Sequence, residues 1–482
     1  MSNTTQIIYA VLLSYFVTLN LSTVGFIAVA ISENRLRRRQ ADYTDLARLE
    51  SSQATVGVSV IVPAYNEAAV VCDTVLSILG SNHPQFEVLV VNDGSTDDTL
   101  EVLRARFEFE LRDVFYPQPI ETKPIRQTYR SRSHPNLWLI DKENGGKADA
   151  CNAGVNIAYH PYVCQTDADC IFEPDTLIKA VRAINFDRRR TVAIGGQLRP
   201  ANGLAISHGK IVGSRLPDSL VTRFQVVEYM GAFLSHRLAW SRLNSVLVIA
   251  GGFGIWRRDV VLELGGYATD VTHEDFELTI NAHRYFRANN VPYRIVMVPD
   301  ATVWTQAPTS WRDICNQRKR WQRIVLETIW KYRSMLFNPR YGSIGMLTMP
   351  YVLVYEALGA FIEAFAYVFV ILLASLGLLD VQFLLLFLAF SIGLNAAIRL
   401  AGLILDVAFF NTYGRRDVVR LGLLALLEPL VYRPALLVPR MLAMREFLMG
   451  HKGHEPMTRS AMSGPEALVG REALVVEPDR QA

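Results

Sequence analysis

The amino-acid sequence predicts an α/β protein with a mostly parallel sheet, covered by helices on both faces and attached to a membrane at both ends. Three observations support this fold class. Short β-branched runs alternate with helical patterns between residues 57 and 335, acidic turns follow two of those runs, and long apolar segments flank the whole stretch. Half of the residues are hydrophobic and the mean hydropathy is +0.18, which is high for a soluble enzyme.

The first apolar segment, residues 6–31, predicts a transmembrane helix long enough to cross a hydrocarbon core of roughly 30 Å. A secretory signal peptide is the alternative, but no basic residue precedes the segment and no small-residue cleavage site stands out. Basic residues follow it instead, at Arg35, Arg37, Arg38 and Arg39. The positive-inside rule therefore places Met1 outside and residues 32–56 in the cytosol as a linker.

The C-terminal third predicts two transmembrane helices within residues 345–410. A last apolar stretch, residues 417–449, contains Glu428, Arg433 and several prolines, which make a plain span energetically costly. We expect a re-entrant or interfacial helix pair there, with transmembrane helices as the alternative. Residues 450–482 are polar and predict a flexible cytosolic tail.

Four strands are predicted between the apolar segments, at residues 58–63, 87–91, 137–140 and 162–166. In a parallel sheet, ligands bind outside the carboxyl ends of the strands. The turn at Asp93 follows the second strand and, considered alone, is an ordinary connection into a capped helix. Asn144-Gly145-Gly146-Lys147 later in the chain favours a loop that approaches a phosphate or base, although its spacing differs from the P-loop.

Asp167 and Asp169 follow the fourth strand. Two carboxylates at this spacing can converge on one divalent ion in the turn, and their hard oxygen atoms suit Mg²⁺ or Mn²⁺. Acidic pairs in loops are common, but one beside a glycine-lysine loop indicates a site for a nucleoside diphosphate.

Glu274 and Asp275 open a predicted helix that continues through residues 276–287. Carboxylates in a first turn commonly stabilise the helix dipole, which is the simpler interpretation. The functional interpretation is a general base that takes a proton from an acceptor hydroxyl. One carboxylate is then sufficient because the leaving group is a metal-bound diphosphate, whereas glycoside hydrolysis needs a second carboxyl as acid.

Gln317, Arg320 and Trp321 share one face of a predicted helix. Attraction of the basic residues around them to anionic lipid is one interpretation. The alternative is that the guanidinium binds a diphosphate while the indole stacks on a sugar.

In this order, the motifs resemble those of the processive family 2 glycosyltransferases, which include cellulose, chitin, hyaluronan and bacterial poly-β-1,6-N-acetylglucosamine synthases. The resemblance covers roughly Val58 to Trp330. It is carried by Pro63-Ala64-Tyr65-Asn66-Glu67, Asp93-Gly94-Ser95, Gly145-Gly146-Lys147, Asp167-Ala168-Asp169, Glu274-Asp275 and Gln317-Arg318-Lys319-Arg320-Trp321. One departure is His273, which stands before the Glu-Asp step where many relatives have threonine.

The resemblance implies a cytosolic, Rossmann-like GT-A domain with interfacial helices over residues 57–335. It implies Asp275 as the catalytic base with Glu274 beside it, and a Mg²⁺ or Mn²⁺ ion on Asp169 and Asp167. The donor UDP-sugar would be bound by Tyr65, Glu67, Asp93, Lys147, Asp167, Asp169, Gln317 and Arg320. The acceptor would be bordered by Gly252, Phe253, Gly254 and Trp321.

The implied function is an inverting, processive enzyme of the cytoplasmic membrane that polymerises a β-linked polysaccharide and exports it. UDP-N-acetylglucosamine is the favoured donor, and accessory membrane or export subunits are left open. A nonprocessive transferase acting on a lipid acceptor is one alternative, and a transporter or scaffold with a degenerate nucleotide domain is another. The net charge of +3 gives no indication of nucleic acid, and five cysteines without zinc spacing indicate a reducing compartment.

Overall fold

The structure is a computed structural model that describes residues 3–187, 190–232, 236–271, 273–410 and 412–450. Apart from Gly450, the predicted tail at 450–482 lies outside the described residues, as does Thr272. The strands are β1 Val58–Ala64, β2 Phe86–Asn92, β3 Phe109–Leu111, β4 Ile125–Ser131, β5 Leu137–Lys142, β6 Tyr162–Gln165, β7 Cys170–Phe172, β8 Thr191–Pro200, β9 Leu204–Ser207, β10 Lys210–Ser214, β11 Gly254–Arg257 and β12 Arg294–Thr305.

Helices cover the sheet and continue into the apolar segments. Those of the central domain and its N-terminal approach are α1 Asn3–Asp42, α2 Leu46–Ser51, α3 Val71–Leu79, α4 Thr99–Phe107, α5 Lys147–Ile157, α6 Thr176–Phe186, α7 Leu220–Ala232, α8 Leu238–Arg242, α9 Arg258–Glu263, α10 Glu274–Ala288 and α11 Trp311–Lys331. Those that follow are α12 Met349–Tyr351, α13 Gly359–Ser375, α14 Val381–Leu388, α15 Leu394–Phe410, α16 Arg415–Leu427, α17 Arg433–Ala435 and α18 Leu437–Leu448.

The main sheet has ten strands in the order β3-β4-β5-β2-β1-β6-β11-β8-β12-β7. The four strands predicted from the sequence, β5-β2-β1-β6, run parallel to one another. The sheet as a whole is mixed and not mostly parallel, because β11 is antiparallel to both of its neighbours and β4 is antiparallel to β5. The connection from β4 to β5 is a short turn, which allows antiparallel pairing but is too short for a parallel crossover.

The central strands bury both of their faces, as expected for parallel strands covered by helices. Every residue of β1 is buried, and alternate side chains enter two different apolar clusters. Ile61 packs on the α5 side, where Gly154 leaves no room for a larger side chain because a Cβ there would lie 2.5 Å from the isoleucine. This rigid centre fixes where the ends of β2 and β6 lie, and therefore fixes the turns that follow them.

Within the described residues, three helical stretches are long and apolar enough to cross a membrane: Asn3–Asp42, Val381–Val407 and Arg415–Leu448. A fourth arises if Ile344–Ala357 and Gly359–Ser375, which meet at a bend of 41°, count as one span. The first helix continues past the predicted end at residue 31 into the expected linker. The stretch at 417–449 passes this test of length and composition, so the spanning alternative for it stands beside the re-entrant one.

Candidate active site

Asp167 and Asp169 lie in the turn between β6 and β7. Their carboxylate oxygens and the Sγ atom of Cys170 all lie within 4.8 Å of one another. Asp169 is buried, and its Oδ1 accepts a long hydrogen bond of 3.5 Å from the Thr305 hydroxyl. Burial, and after it the charge of Asp167, raises the pKa of Asp169 to about 7.

Lys147 connects this acidic pair to the second pair of carboxylates, Glu274 and Asp275. It is the first residue of α5, and its Nζ lies 2.7 Å from Asp167 Oδ1 and 3.0 Å from Glu274 Oε1. Burial acts to lower the pKa of the lysine, but the charges of Asp167, Glu274 and Asp275 raise it well above its usual value. Lys147 is therefore a permanent positive charge among three carboxylates.

Glu274 and Asp275 form the first turn of α10. Glu274 is buried and accepts a hydrogen bond of 2.8 Å from Nε2 of Gln165, the last residue of β6. Asp275 accepts two backbone hydrogen bonds, from the Gly251 N–H at 2.8 Å and from the Phe276 N–H at 2.7 Å. Burial, and after it the charge of Glu274, raises the pKa of Asp275 to about 6. Such a carboxylate is ionised at neutral pH and is poised to accept a proton.

The glycine turn at 251–254 fits closely around Asp275. A Cβ added at Gly251 would lie 2.8 Å from Lys147 Nζ and 3.4 Å from Asp275 Oδ2, so a side chain there would displace the ammonium of Lys147. The carbonyl of Gly252 accepts a hydrogen bond of 2.8 Å from the Thr166 hydroxyl. Gly254 starts β11, and this strand anchors the turn to the sheet.

Phe253 lies in the core and not at the acceptor position expected from the sequence. Its side chain is 1% exposed and meets Phe172 edge to face, with ring centroids 5.5 Å apart. Gly196 provides the space for the ring, since a Cβ there would lie 2.2 Å from it. The phenyl group therefore supports the glycine turn from behind.

Asp93 organises the glycine-lysine loop. Its carboxylate accepts hydrogen bonds from the backbone N–H groups of Gly145 at 3.0 Å and Gly146 at 2.7 Å, and from Lys142 Nζ at 2.7 Å. Lys142 is fully buried and also lies 2.5 Å from Asp149. The carboxylate of Asp93 is thus engaged within the protein, and the loop that it holds places Lys147 at the start of α5.

Tyr65 and Glu67 lie next to the Asp93 turn. Asn66 between them has φ of 58°, and its side chain accepts a hydrogen bond from the Thr96 N–H at 2.8 Å. The Glu67 N–H donates to the Thr99 hydroxyl at 2.8 Å, and Glu67 is buried. Tyr65 is 47% exposed, so its ring is available at the surface of this corner.

The motif at 317–321 divides among the interior, a cavity and the surface, where Arg320 is exposed. Arg318 lies 4.3 Å above the Trp321 ring centroid and pairs with Glu228 at 2.6 Å. Gln317 is buried, and its Oε1 has no hydrogen-bond partner among the described residues. Trp321 and Arg318 line a cavity that also borders Asp275. Among the described residues of its wall, Gln317 and Arg320 do not occur.

This cavity has a volume of about 540 Å³ and extends from the site into the helical part of the molecule. Asp275 contributes to its wall, together with Trp321 of α11. Residues of three apolar stretches complete it, among them Leu19 of α1, Asn395 of α15 and Tyr432 near α17. The proposed base therefore borders one continuous space that reaches the apolar helices.

Two family models match the chain. The one described as glycosyl transferase family group 2 matches residues 162–410, more than half of the chain, and the one described as glycosyl transferase family 2 matches residues 59–261. The chain belongs to the family 2 glycosyltransferases. The resemblance predicted from the ordered motifs is thereby confirmed, and the enzyme is a glycosyltransferase.

The glycosyltransferase is similar to curated poly-β-1,6-N-acetyl-D-glucosamine synthases. It is 23% identical over 311 residues to the one from Staphylococcus epidermidis, covering 63% of this chain and 64% of the relative. It is 24% identical over 266 residues to the one from Staphylococcus aureus strain COL, covering 55% and 53%. The chain thus spans less than two thirds of the length of these relatives.

Among solved structures, the glycosyltransferase is similar to the mannosyltransferase PcManGT from Pyrobaculum calidifontis in complex with GDP-Man and Mn²⁺. The TM-score is 0.50 at 20% sequence identity, and the match covers 92% of this chain and 100% of that one. At this identity the similarity shows the fold alone. The predicted GT-A domain with apolar helices, including an N-terminal one, is confirmed.

The structure gathers most of the predicted residues of the glycosyltransferase into one region. Lys147, Asp167, Glu274 and Asp275 form a connected charge cluster, and Trp321 shares the cavity with Asp275. Sequence reasoning missed Lys142, although a lysine at the end of an apolar strand and just before a glycine loop was a usable signal. It also missed Arg237 of the cavity wall, which no local motif marks.

Proposed function

We propose that the glycosyltransferase is an inverting, processive enzyme that elongates a β-linked polysaccharide from a UDP-sugar, with UDP-N-acetylglucosamine as the favoured donor. It would work in the cytoplasmic membrane with its catalytic domain in the cytosol and its N-terminus outside. The relatives that are named synthases support the polymer and the N-acetylglucosamine donor. The apolar helices support the membrane location.

The main support for this proposal is that Asp275 and the apolar helices line the same cavity. A transferase that modifies a soluble acceptor needs only a cleft in front of the donor. Here the space beyond the base continues between helices that are long and apolar enough to span a membrane. A chain extended at Asp275 would have a path already present in the fold.

The donor would lie on the other side of Asp275, against the acidic pair. Asp169 and Asp167 would hold a Mg²⁺ or Mn²⁺ ion, and the close approach of their oxygen atoms fits a hard divalent cation. Such an ion neutralises diphosphate charge as the leaving group departs. Lys147 would bind the diphosphate from the Asp167 side, and Arg320 and Gln317 would complete the phosphate contacts.

The uridine would occupy the corner of Tyr65, Glu67 and Asp93. Tyr65 is the exposed ring there, and such a surface can stack on a base. Asp93 would act through the loop that it holds, because its carboxylate already accepts hydrogen bonds from Gly145, Gly146 and Lys142.

Asp275 would take the proton of the acceptor hydroxyl as that oxygen attacks the anomeric carbon. The backbone N–H groups of Gly251 and Phe276 fix the rotamer of the carboxylate, so the base needs little reorganisation. Attack from the side opposite the diphosphate inverts the anomeric configuration. Gly252 and Gly254 would border the acceptor terminus, and the Trp321 ring would stack on its sugar.

A nonprocessive transferase acting on a lipid is the second candidate. Several side chains of the cavity wall are aliphatic, including Leu19, Ile27, Leu405 and Leu436, and these would suit a prenyl or acyl chain. The cavity that carries the first proposal therefore also gives the second one physical support.

Incubation of the purified enzyme in nanodiscs with a panel of UDP-sugars separates the two candidates. We expect UDP release that depends on a divalent cation, together with a product that grows in mass with time and is degraded by a glycosidase specific for its linkage. A product that stops at one sugar per lipid would overturn the processive proposal and establish the second candidate. Asp275→Asn should remove both signals in either case.

A further inference from the structure

Arg237 differs from the other four arginines of the cavity wall in its hydrogen bonding. Four of them are already engaged within the protein. Their contacts are Arg318 with Glu228 at 2.6 Å, Arg399 with Glu428 at 3.5 Å, Arg433 with Glu363 at 2.5 Å, and Arg440 with the Gln322 side chain at 2.8 Å. Arg237 lines the same cavity, yet its guanidinium makes no hydrogen bond or ion pair with any described residue.

Two carboxylates act on Arg237 from a distance. Burial lowers the pKa of the Arg237 guanidinium, whereas Tyr229 and then the charges of Asp275 and Glu356 favour its protonated form. Neither carboxylate is close enough for an ion pair with it. Glu356 also lines the cavity, and its own side chain makes no hydrogen bond with a described residue. A hydrogen-bond donor, the Arg237 guanidinium, and a hydrogen-bond acceptor, the Glu356 carboxylate, thus line the space beside Asp275 without bonding to each other.

The backbone around Glu356 is held in place by neighbouring helices. Residues 352–357 form a π-helical turn, a distortion that often marks functional positions. The Glu356 carbonyl accepts hydrogen bonds from Gln322 at 3.1 Å and from Arg440 at 2.7 Å. Gln322 follows Trp321 in α11, so the element that carries the stacking indole also fixes the position of Glu356.

The segment that carries Arg237 is tied to the same region. His236 forms a hydrogen bond of 3.0 Å with the Tyr351 hydroxyl, just before the π-helical turn. Trp240 packs edge to face on Tyr351, with ring centroids 6.2 Å apart. Arg237 and Glu356 therefore approach the cavity from two elements that contact each other, which fixes the separation of their head groups.

The chemistry of this pair suits a saccharide better than a phosphate. A guanidinium offers several fixed donors and a carboxylate offers acceptors, and sugar hydroxyls can satisfy both at once. A phosphate bound at Arg237 would lie near the negative charges of Asp275 and Glu356, and like charges in a partly buried site repel strongly. Aromatic rings of the same wall, including Trp240 and Trp321, can cover the apolar face of a sugar ring.

We infer that Arg237 and Glu356 form an acceptor subsite that binds the hydroxyl groups of the growing polysaccharide behind its terminal sugar. The subsite rests on the proposed processive function and assigns to these two residues the positioning of the chain in front of Asp275. It acts on the acceptor alone, because the donor lies on the opposite side of the base.

The test uses the full chain in nanodiscs, with a soluble β-linked oligosaccharide as acceptor and the UDP-sugar that supports elongation. We expect Arg237→Gln and Glu356→Gln each to raise the KM for the oligosaccharide about tenfold or more, the size of one lost charged hydrogen bond. Slow UDP release without acceptor should keep its parental rate and its parental KM for the donor. Arg237→Lys should recover only part of the affinity, because an ammonium lacks the fork of donors.

Arg420→Gln is the matched control, since Arg420 pairs with Asp417 at an exposed surface. Thermal unfolding of each purified variant should match the parent. A parental oligosaccharide KM in both Arg237→Gln and Glu356→Gln would overturn the subsite while leaving processive synthesis intact. A parent enzyme that adds a single sugar to a lipid would overturn both proposals, and this is seen before any variant is made.

Discussion

The donor end of the site and the cavity end handle charge differently. At the donor end the side chains pair with one another: Lys147 bridges Asp167 and Glu274, and Lys142 bridges Asp93 and Asp149. At the cavity end most arginines are paired as well, but Arg237 and Glu356 face a common space without a partner among the described residues. The donor end thus has its charges paired before substrate arrives, whereas Arg237 and Glu356 keep hydrogen-bonding capacity for a ligand that must slide onward.

Asp275 stands at the junction of the two ends, and its removal should have the largest effect. Asp275→Asn keeps the shape of the side chain but cannot accept a proton, so we expect turnover to fall by about 10²–10⁴-fold. Donor binding, measured by UDP-sugar titration calorimetry, should change little. An Asp275→Asn enzyme with near-parental turnover would show that another group is the base.

The acidic pair should be next in size, because it defines the donor end. Chelation should stop transfer, and Asp169→Asn should weaken Mn²⁺ binding by about a hundredfold, measured by calorimetry or by spin resonance of the free ion. Asp259→Asn is the control, since Asp259 is exposed and pairs only locally with Arg257. Unchanged Mn²⁺ affinity in Asp169→Asn would show that the metal does not bind at this turn.

Gly251→Ala tests whether the two ends must remain in close contact. The added methyl group would lie 2.8 Å from Lys147 Nζ, which must therefore move, and in ordinary contact with Asp275 Oδ2 at 3.4 Å. We expect kcat to fall about tenfold to a hundredfold with the fold retained. Gly213→Ala is the matched control, because its Cβ would meet only Ala205 at 3.9 Å. Equal activity of the two variants would contradict the tight fit.

The pH profile should show the smallest effect. Burial and the charge of Glu274 raise the pKa of Asp275 to about 6, so kcat should fall tenfold per unit as the pH drops below that value. The raised pKa places the loss at a higher pH than an ordinary aspartate would. Glu274→Gln removes the like charge and should move this acidic limb to lower pH. A limb that stays in place would mean that another group titrates there.

The donor end could be predicted from the sequence because its residues lie in short motifs at strand ends. Parallel strands bring those ends together, so motif order and strand order were enough to place Lys147 beside Asp167. Lys142 was missed because one of its partners, Asp93, meets it only across the fold. The antiparallel β11 was missed because its run of residues, next to the glycine turn, is short.

The cavity end could not be predicted in the same way. Its wall combines residues of α1, α11 and α15 with the segment around residue 237. The wall residues of α1 and α15 lie in apolar sequence and have the pattern of an ordinary buried helix. Glu356 carried a signal, since a carboxylate within an apolar stretch is costly unless it has a use. The direction of the Glu356 side chain depends on the π-helical turn at residues 352–357, and the local sequence does not predict that turn.

A structure of the enzyme in nanodiscs with UDP, Mn²⁺ and an acceptor oligosaccharide would decide whether the growing chain occupies the cavity behind Asp275. We expect the diphosphate at Asp167, Asp169 and Lys147, and the terminal hydroxyl of the acceptor within hydrogen-bond distance of Asp275. The rest of the oligosaccharide should extend into the cavity along Trp321 and Arg237. An acceptor that approaches Asp275 from outside this cavity would contradict the account.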